Sequence, residues 1–189
     1  MKKIAVFLAD GYEEIEALTV VDVTRRAGMK CDIVSIEDEV VRSAHDDFVK
    51  ADKLLNVEEI KEYDMIVFPG GLPGAENLAK DERIIDLVKY FDEEKKFIAA
   101  ICASPAMVLS AAEIEENRYI TAYPGEDFEE MLEKANYIEE LVVVDGNIIT
   151  SRGPATTLLF AYKIVDILGG DSEALKEGML WNKLEEEKQ

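Results

Sequence analysis

A strand that ends in a cysteine and restarts as a helix limits what this chain can fold into more than any other stretch: Phe97-Ile-Ala-Ala-Ile-Cys102-Ala-Ser-Pro-Ala-Met-Val-Leu109. Phe97 to Ile101 is a nearly unbroken apolar run between Glu94-Lys95-Lys96 and Ser104-Pro105. That pattern predicts a central strand of a parallel sheet, buried on both faces. Pro105 suits the first helical turn, and Ser104 is placed to cap it. A thiol on such a turn sits at the carboxyl edge of the sheet, beside backbone N–H groups and the positive end of a helix dipole, and both favour thiolate. This is the geometry of a nucleophile elbow. A free cysteine also packs well as a small hydrophobe. The turn placement is unusual for a core residue, so Cys102 is read as a candidate nucleophile.

The same grammar recurs along the chain. Lys3 to Leu8 reads as a buried strand, and Ala9-Asp10-Gly11-Tyr12 turns it into a helix carrying Ile15, Leu18, Val21 and Val23, stopped by Gly28. Lys30 to Ile36 is a second strand, closing a βαβ unit. Between Asp38 and Lys53, two short runs flank Ser43-Ala-His-Asp-Asp47, the pattern of a small projecting hairpin. Met65 to Phe68 is a further strand followed at once by Pro69-Gly70-Gly71-Leu72-Pro73-Gly74, and Glu82 to Phe91 is a helix with an apolar stripe. Arg118 to Ala122 reads as a possible strand and Asp127 to Ala135 as an acidic surface helix. Asp145-Gly146-Asn147 signals a hairpin turn, Pro154 opens a long helix ended by Gly169-Gly170, Ser172 caps a short one, and the charged tail from Leu184 is expected to fray. Strands alternating with helices predict an α/β fold: a mostly parallel sheet with helices on both faces.

At 189 residues the chain is expected to form one domain, 1–189. No run approaches the ~18 apolar residues a membrane span needs. Asp10, Glu13, Glu14 and Glu16 interrupt the apolar N-terminal run, which reads as the first strand rather than a secretion signal. A net charge of −20 without a basic stripe repels a phosphate backbone, so neither nucleic acid nor membrane is an expected partner. Two cysteines in separate strands do not make a disulfide framework and point to a reducing cytoplasm. Cys31 is assigned to packing. The single histidine, His45, cannot build a zinc site without a Cys/His cluster and reads as a solvated hairpin residue.

Ligands of open α/β sheets bind beyond the carboxyl ends of the strands, so the turns after the strands carry the candidate chemistry. Gly70 and Gly71 allow close backbone approach and free amides, which with the Ala103 amide could form an oxyanion hole for an adduct on Cys102. The same glycines could serve a tight turn alone. Glu13 and Glu16 stand three apart on the first helical turn and could face one side. A glutamate in an apolar pocket is pushed toward its neutral acid, able to shuttle a proton; two exposed acids at a helix start would also fit.

Five motifs occur together: Ala9-Asp-Gly-Tyr-Glu13-Glu-Ile-Glu16, Asp22-Val-Thr-Arg25-Arg26-Ala-Gly28, Phe68-Pro-Gly-Gly71, Ala99-Ala-Ile-Cys102-Ala-Ser-Pro105 and Thr150-Ser-Arg-Gly-Pro154. In these the sequence resembles the ThiJ/PfpI family, and within it the branch of the parkinsonism-associated protein deglycase. The resemblance implies a flavodoxin-like three-layer sandwich, a homodimer, Cys102 as the reactive thiol and Glu16 as its protonated partner. It also implies that Glu13 lines the pocket and that Gly71 and Ala103 supply backbone donors. The chain departs from the family twice. Ala103 replaces the histidine that follows the nucleophile in the protease-like branch, and Ala122-Tyr123-Pro124 stands where the deglycase branch takes a histidine. A phenol stays protonated at neutral pH, so no Cys–His dyad is formed and peptidase activity is not expected. His45 falls where that branch has a hairpin arginine.

The expected function is a cofactor-independent glyoxalase or deglycase in which Cys102 adds to a small aldehyde such as methylglyoxal, with no metal. The alternative is a redox-sensing, chaperone-like stress protein in which Cys102 is oxidised to a sulfinate held by Glu16 and the same amides, without turnover.

Overall fold

The computed structural model describes residues 1–187. Its centre is the set of apolar runs. β1 (Lys3–Leu8) leads through α1 (Glu14–Arg26) to β2 (Lys30–Ser35); β3 (Val40–Arg42) and β4 (Phe48–Lys50) form the projecting antiparallel hairpin. β5 (Lys53–Leu54) and the one-turn α2 (Val57–Ile60) precede β6 (Met65–Phe68), α3 (Gly74–Lys80), α4 (Glu82–Glu93) and β7 (Phe97–Ile101). A π-helical segment, Pro105–Leu109, follows β7. β8 (Tyr119–Ile120), α5 (Glu126–Met131) and β9 (Asn136–Tyr137) come next, and β8 pairs with β9 in a separate ribbon. β10 (Val142–Asp145) and β11 (Ile148–Ser151) form a hairpin, and α6 (Thr157–Ile167), α7 (Ser172–Gly178) and α8 (Trp181–Glu186) close the chain.

The main sheet has seven strands in the order β10-β11-β7-β6-β1-β2-β5, and every pairing but β10–β11 is parallel. Five of them, β2-β1-β6-β7-β11, give the flavodoxin-like order, and this is the expected three-layer sandwich. Alternation along each strand splits the core in two. Ala5, Phe7, Ile66, Phe68, Ile98 and Ala100 face α4 through Ile84, Leu87, Val88 and Phe91. Ile4, Val6, Met65, Val67, Ala99 and Ile101 face α1 through Ala17, Val20 and Val23, and α6 through Phe160, Ile164 and Val165.

Several local expectations are corrected. Ile15 and Leu18 do not join the core: they are 54% and 37% exposed, because Ala17, Val20, Val21 and Val23 occupy the buried side of α1. Asp171, not Ser172, caps α7, its side chain accepting from the Ala174 N–H at 3.1 Å. The acidic helix is α5, shorter than its sequence pattern and ending at Met131. Leu184 lies within α8, which runs to Glu186; the end of the tail, 188–189, is outside the described residues. No helix among the described residues is long and apolar enough to cross a membrane.

Candidate active site

After β1 the chain crosses to β2 and β5 on one side, then returns to β6, β7 and β11 on the other. β1 and β6 are hydrogen-bonded neighbours whose following helices, α1 and α3, pack on opposite faces. Their carboxyl ends are the usual ligand position of an open α/β sheet. Cys102, at the end of β7, lies against the turn after β6, with a left-handed φ of 65°. A side chain pays strain in that region, and the turn holds it with two backbone bonds: the Cys102 N–H donates to the Ser151 carbonyl at 3.1 Å and the Tyr123 N–H to the Cys102 carbonyl at 2.8 Å.

Three turns are stitched together around the sulfur. The Glu13 N–H donates to the Gly70 carbonyl at 3.0 Å, and the Ser104 hydroxyl to the Pro69 carbonyl at 2.6 Å. Ser104 thus fastens the β6 turn to the β7 turn and is not the helix cap its position suggests. The Gly70 N–H donates to Glu16 Oε2 at 2.7 Å. Gly70 is consequently not an oxyanion donor; its amide is spent on orienting Glu16. The amides that lie against the thiol are those of Gly71 and Ala103. Both glycines are required by space: a Cβ on Gly70 would fall 2.6 Å from Cys102 Cβ, and one on Gly71, at φ +85°, 2.4 Å from the Glu13 nitrogen.

Glu16 is fully buried, unlike an ordinary helix-start acid, and its Oε1 has no hydrogen-bond partner. Burial pushes its pKa up to about 7, against the Gly70 and Cys102 hydrogen bonds, and the Glu13 charge adds to the rise. Cys102 also shifts upward: burial is the largest cause, then the charge and hydrogen bonding of Glu16, which outweigh the amides of Ala103 and Gly71. The turn's amides favour the thiolate as expected, but the net direction is the reverse of the expected one, because burial and Glu16 outweigh them. The helix behind the cysteine runs through 104–111, so its N-terminal end adds to the amides on the side of the anion, and burial with Glu16 overrides both. Near neutrality the thiol keeps its proton, and the carboxyl is the first of the pair to release one.

Glu13 sits at the rim with its side chain 13% exposed, beside Glu14 at 14% and the exposed His45. His45 Nδ1 lies 2.8 Å from Glu14 Oε2, and the His45 N–H donates to Glu14 Oε1 at 2.9 Å, an oxygen that also accepts from the Ser43 hydroxyl. The hairpin histidine is thus tied to α1 rather than merely solvated. Among the described residues, Glu13, Glu14 and His45 are the group whose ligand atoms come within 4.8 Å of one another and could hold a metal ion. Tyr123 joins the site through its backbone; its ring, 44% exposed, lies edge-on to Phe128 at 6.1 Å and next to Gly153. Cys31 is buried, and burial pushes its thiol up to about 11. The roles of Ser104, Ser151 and Ser43 had no local signal, since each is a contact between segments far apart in the chain.

Comparison with known proteins bears on this arrangement. A family model described as the DJ-1/PfpI family matches residues 2–167. Protein DJ-1 homolog B of Arabidopsis thaliana is 41% identical over 92% of this chain, which spans 40% of that protein's length. A Caenorhabditis elegans protein named glutathione-independent glyoxalase DJR-1.2 is 35% identical over 84% of this chain and 83% of its own. The solved structure of Toxoplasma gondii DJ-1, oxidized, superimposes with a TM-score of 0.86 at 35% identity, covering 95% of this chain and 98% of the other.

Proposed function

The chain belongs to the DJ-1/PfpI family, and from that premise we propose that it is a cofactor-independent glyoxalase or deglycase acting on small reactive aldehydes, or their amine adducts, through Cys102. The observation that carries this reading is the grouping of a half-buried thiol, two backbone amides against it and a buried carboxyl that titrates near neutrality. The glyoxalase name of the worm relative supports it.

With methylglyoxal, the Cys102 sulfur forms a bond to the aldehyde carbon while the Glu16 carboxylate takes the thiol proton, which is then passed to the new alkoxide. A base whose pKa lies near the working pH does this best. The Gly71 and Ala103 amides hold the oxyanion as it forms. Glu16 then accepts the proton on the former aldehyde carbon and returns it to the neighbouring carbon, while the hydroxyl proton moves to the neighbouring oxygen, converting the hemithioacetal to a lactoyl thioester. Water hydrolyses that ester to lactate and frees the thiol. The net change adds one water and needs no external electron acceptor. On an amine adduct the same sulfur displaces the amine, which leaves with the proton Glu16 took from the thiol, and the hemithioacetal that remains follows the same path. Replacing Cys102 by Ser should abolish lactate formation from methylglyoxal; undiminished turnover would remove the mechanism.

We place the protein in a reducing cytoplasm, where both cysteines stay free. Self-association through the exposed Ile15 and Leu18, which border an apolar hollow with Leu158 and Met179, would give the homodimer. A second reading, oxidation of Cys102 to a sulfinate held by Glu16 and the amides, is favoured by one contrast: Cys102 is half-buried whereas Cys31 is sealed in the core.

A further inference from the structure

We propose that the mouth of the Cys102 site selects by charge, admitting neutral and cationic carbonyl compounds and turning away anionic ones, with Glu13 and Glu14 setting the preference. The inference rests on the proposed aldehyde chemistry for its substrates, but the selection itself is a property of access to the sulfur. Glu13 lies directly over the turn that lines the thiol: its N–H holds the Gly70 carbonyl, and its nitrogen is the atom a Cβ on Gly71 would strike. Its carboxylate makes Glu16 harder to ionise, so its field reaches the reacting pair. Glu14 brings a second carboxylate to the same rim, and both side chains are shielded from water far more than a surface glutamate.

The cations within reach do not cancel this. His45 can offset one of the two carboxylates. Arg42 is bound to Asp46, while Asp10 accepts from the Arg42 N–H and adds a further negative group to the turn. Arg152, just after β11, directs its guanidinium to the Glu139 carbonyl and the Tyr137 hydroxyl. The whole chain has the same sign, at −20. The substrate class is therefore neutral α-oxoaldehydes and carbonyl adducts carried on cationic amines, whereas aldehydes bearing a carboxylate or phosphate are disfavoured.

Two methanethiosulfonate reagents of similar size test this without turnover, one carrying a trimethylammonioethyl group and the other a sulfonatoethyl group. The Cys102 sulfur attacks the reagent's divalent sulfur, forming a mixed disulfide, while methanesulfinate leaves and the thiol proton passes to base. Rates at Cys102, followed by the mass of its peptide, are divided by those of free 2-mercaptoethanol. The corrected cation-to-anion ratio should be about tenfold or more at low salt and fall toward unity in about 0.5 M sodium chloride. It should also fall severalfold in Glu13→Gln and Glu14→Gln. A ratio equal to that of the free thiol, a ratio indifferent to salt, or no labelling by the cationic reagent would overturn the proposal, and the salt arm stands if a variant fails to fold. In parallel, phenylglyoxal should be turned over in preference to 4-carboxyphenylglyoxal. Absence of turnover with both would defeat the proposed enzyme activity alone, because the labelling ratio would still decide the charge selection.

Discussion

Glu16→Gln should remove a pH-dependent cost that the wild-type fold carries. The buried carboxyl has its pKa raised from 4.5 to about 7, so the folded state binds its proton more tightly than the unfolded chain. Stability from that proton is fully present below the unfolded value near 4.5 and is lost as the pH rises through about 7. The difference corresponds to about 3 kcal/mol, with a slope of at most ~1.4 kcal/mol per pH unit between the two values. Glutamine has the shape of the neutral acid: its carbonyl can still accept from the Gly70 N–H and its amide can face the sulfur, but it cannot ionise. Urea unfolding of both proteins from pH 4 to 8.5 isolates this group, because the titrations of groups that do not interact with Glu16 cancel in the difference and the thiol, held up, stays protonated across most of that range. The variant should gain on the wild type steadily from pH 4.5 to 7 and then level off. A difference that is flat with pH, or that falls, would show that Glu16 is not held in a desolvated site and would refute the electrostatics of the pair.

Gly70→Ala places a Cβ 2.6 Å from Cys102 Cβ and 2.8 Å from Glu16 Oε2, so it should cost about 1–3 kcal/mol in stability and reduce methylglyoxal turnover at least tenfold, read by unfolding and lactate assays. Tyr123→His puts an imidazole on the turn whose N–H already holds the Cys102 carbonyl, in place of a ring that lies against Phe128, and should raise methylglyoxal turnover; an unchanged rate would show that a side chain on this turn takes no part in the proton transfers. Mild peroxide should add two oxygens to Cys102 before Cys31, by peptide mass, since Cys31 is sealed in the core whereas Cys102 is half-buried. Equal oxidation of the two would count against any sensing role.

The elements legible in the sequence were those in which a local pattern decides the outcome. Met65 to Phe68 and Phe97 to Ile101 are apolar at every position and became the central strands, and the Asp145-Gly146-Asn147 signal became the β10–β11 turn, with Gly146 at φ +59°. The position of Cys102 at a strand-to-helix turn was equally plain, since Pro105 announces the helical segment. What was hidden depends on partners distant in the chain. The Gly70 amide looks free until Glu16, 54 positions away, takes it, and Ser104 looks like a cap until the Pro69 carbonyl claims its hydroxyl. The direction of the thiol shift belongs to the same class: a short helical segment and two amides favour the anion locally, and burial beside a carboxylate reverses the sign. Ile15 and Leu18 fit a helical apolar stripe, but α1 presents a neighbouring stripe to the sheet, a choice of rotation that spacing alone does not make.

The central claim is that the Glu16 carboxyl, not the Cys102 thiol, releases its proton near neutrality, and that the Glu16 charge holds the thiol up. The rate of alkylation of Cys102 by neutral iodoacetamide, followed against pH in the wild type and in Glu16→Gln, measures this directly. With the carboxylate gone and the Gly71 and Ala103 amides still in place, the thiol should ionise at lower pH in the variant. Superimposable profiles, or a variant thiol that ionises at higher pH, would contradict the account.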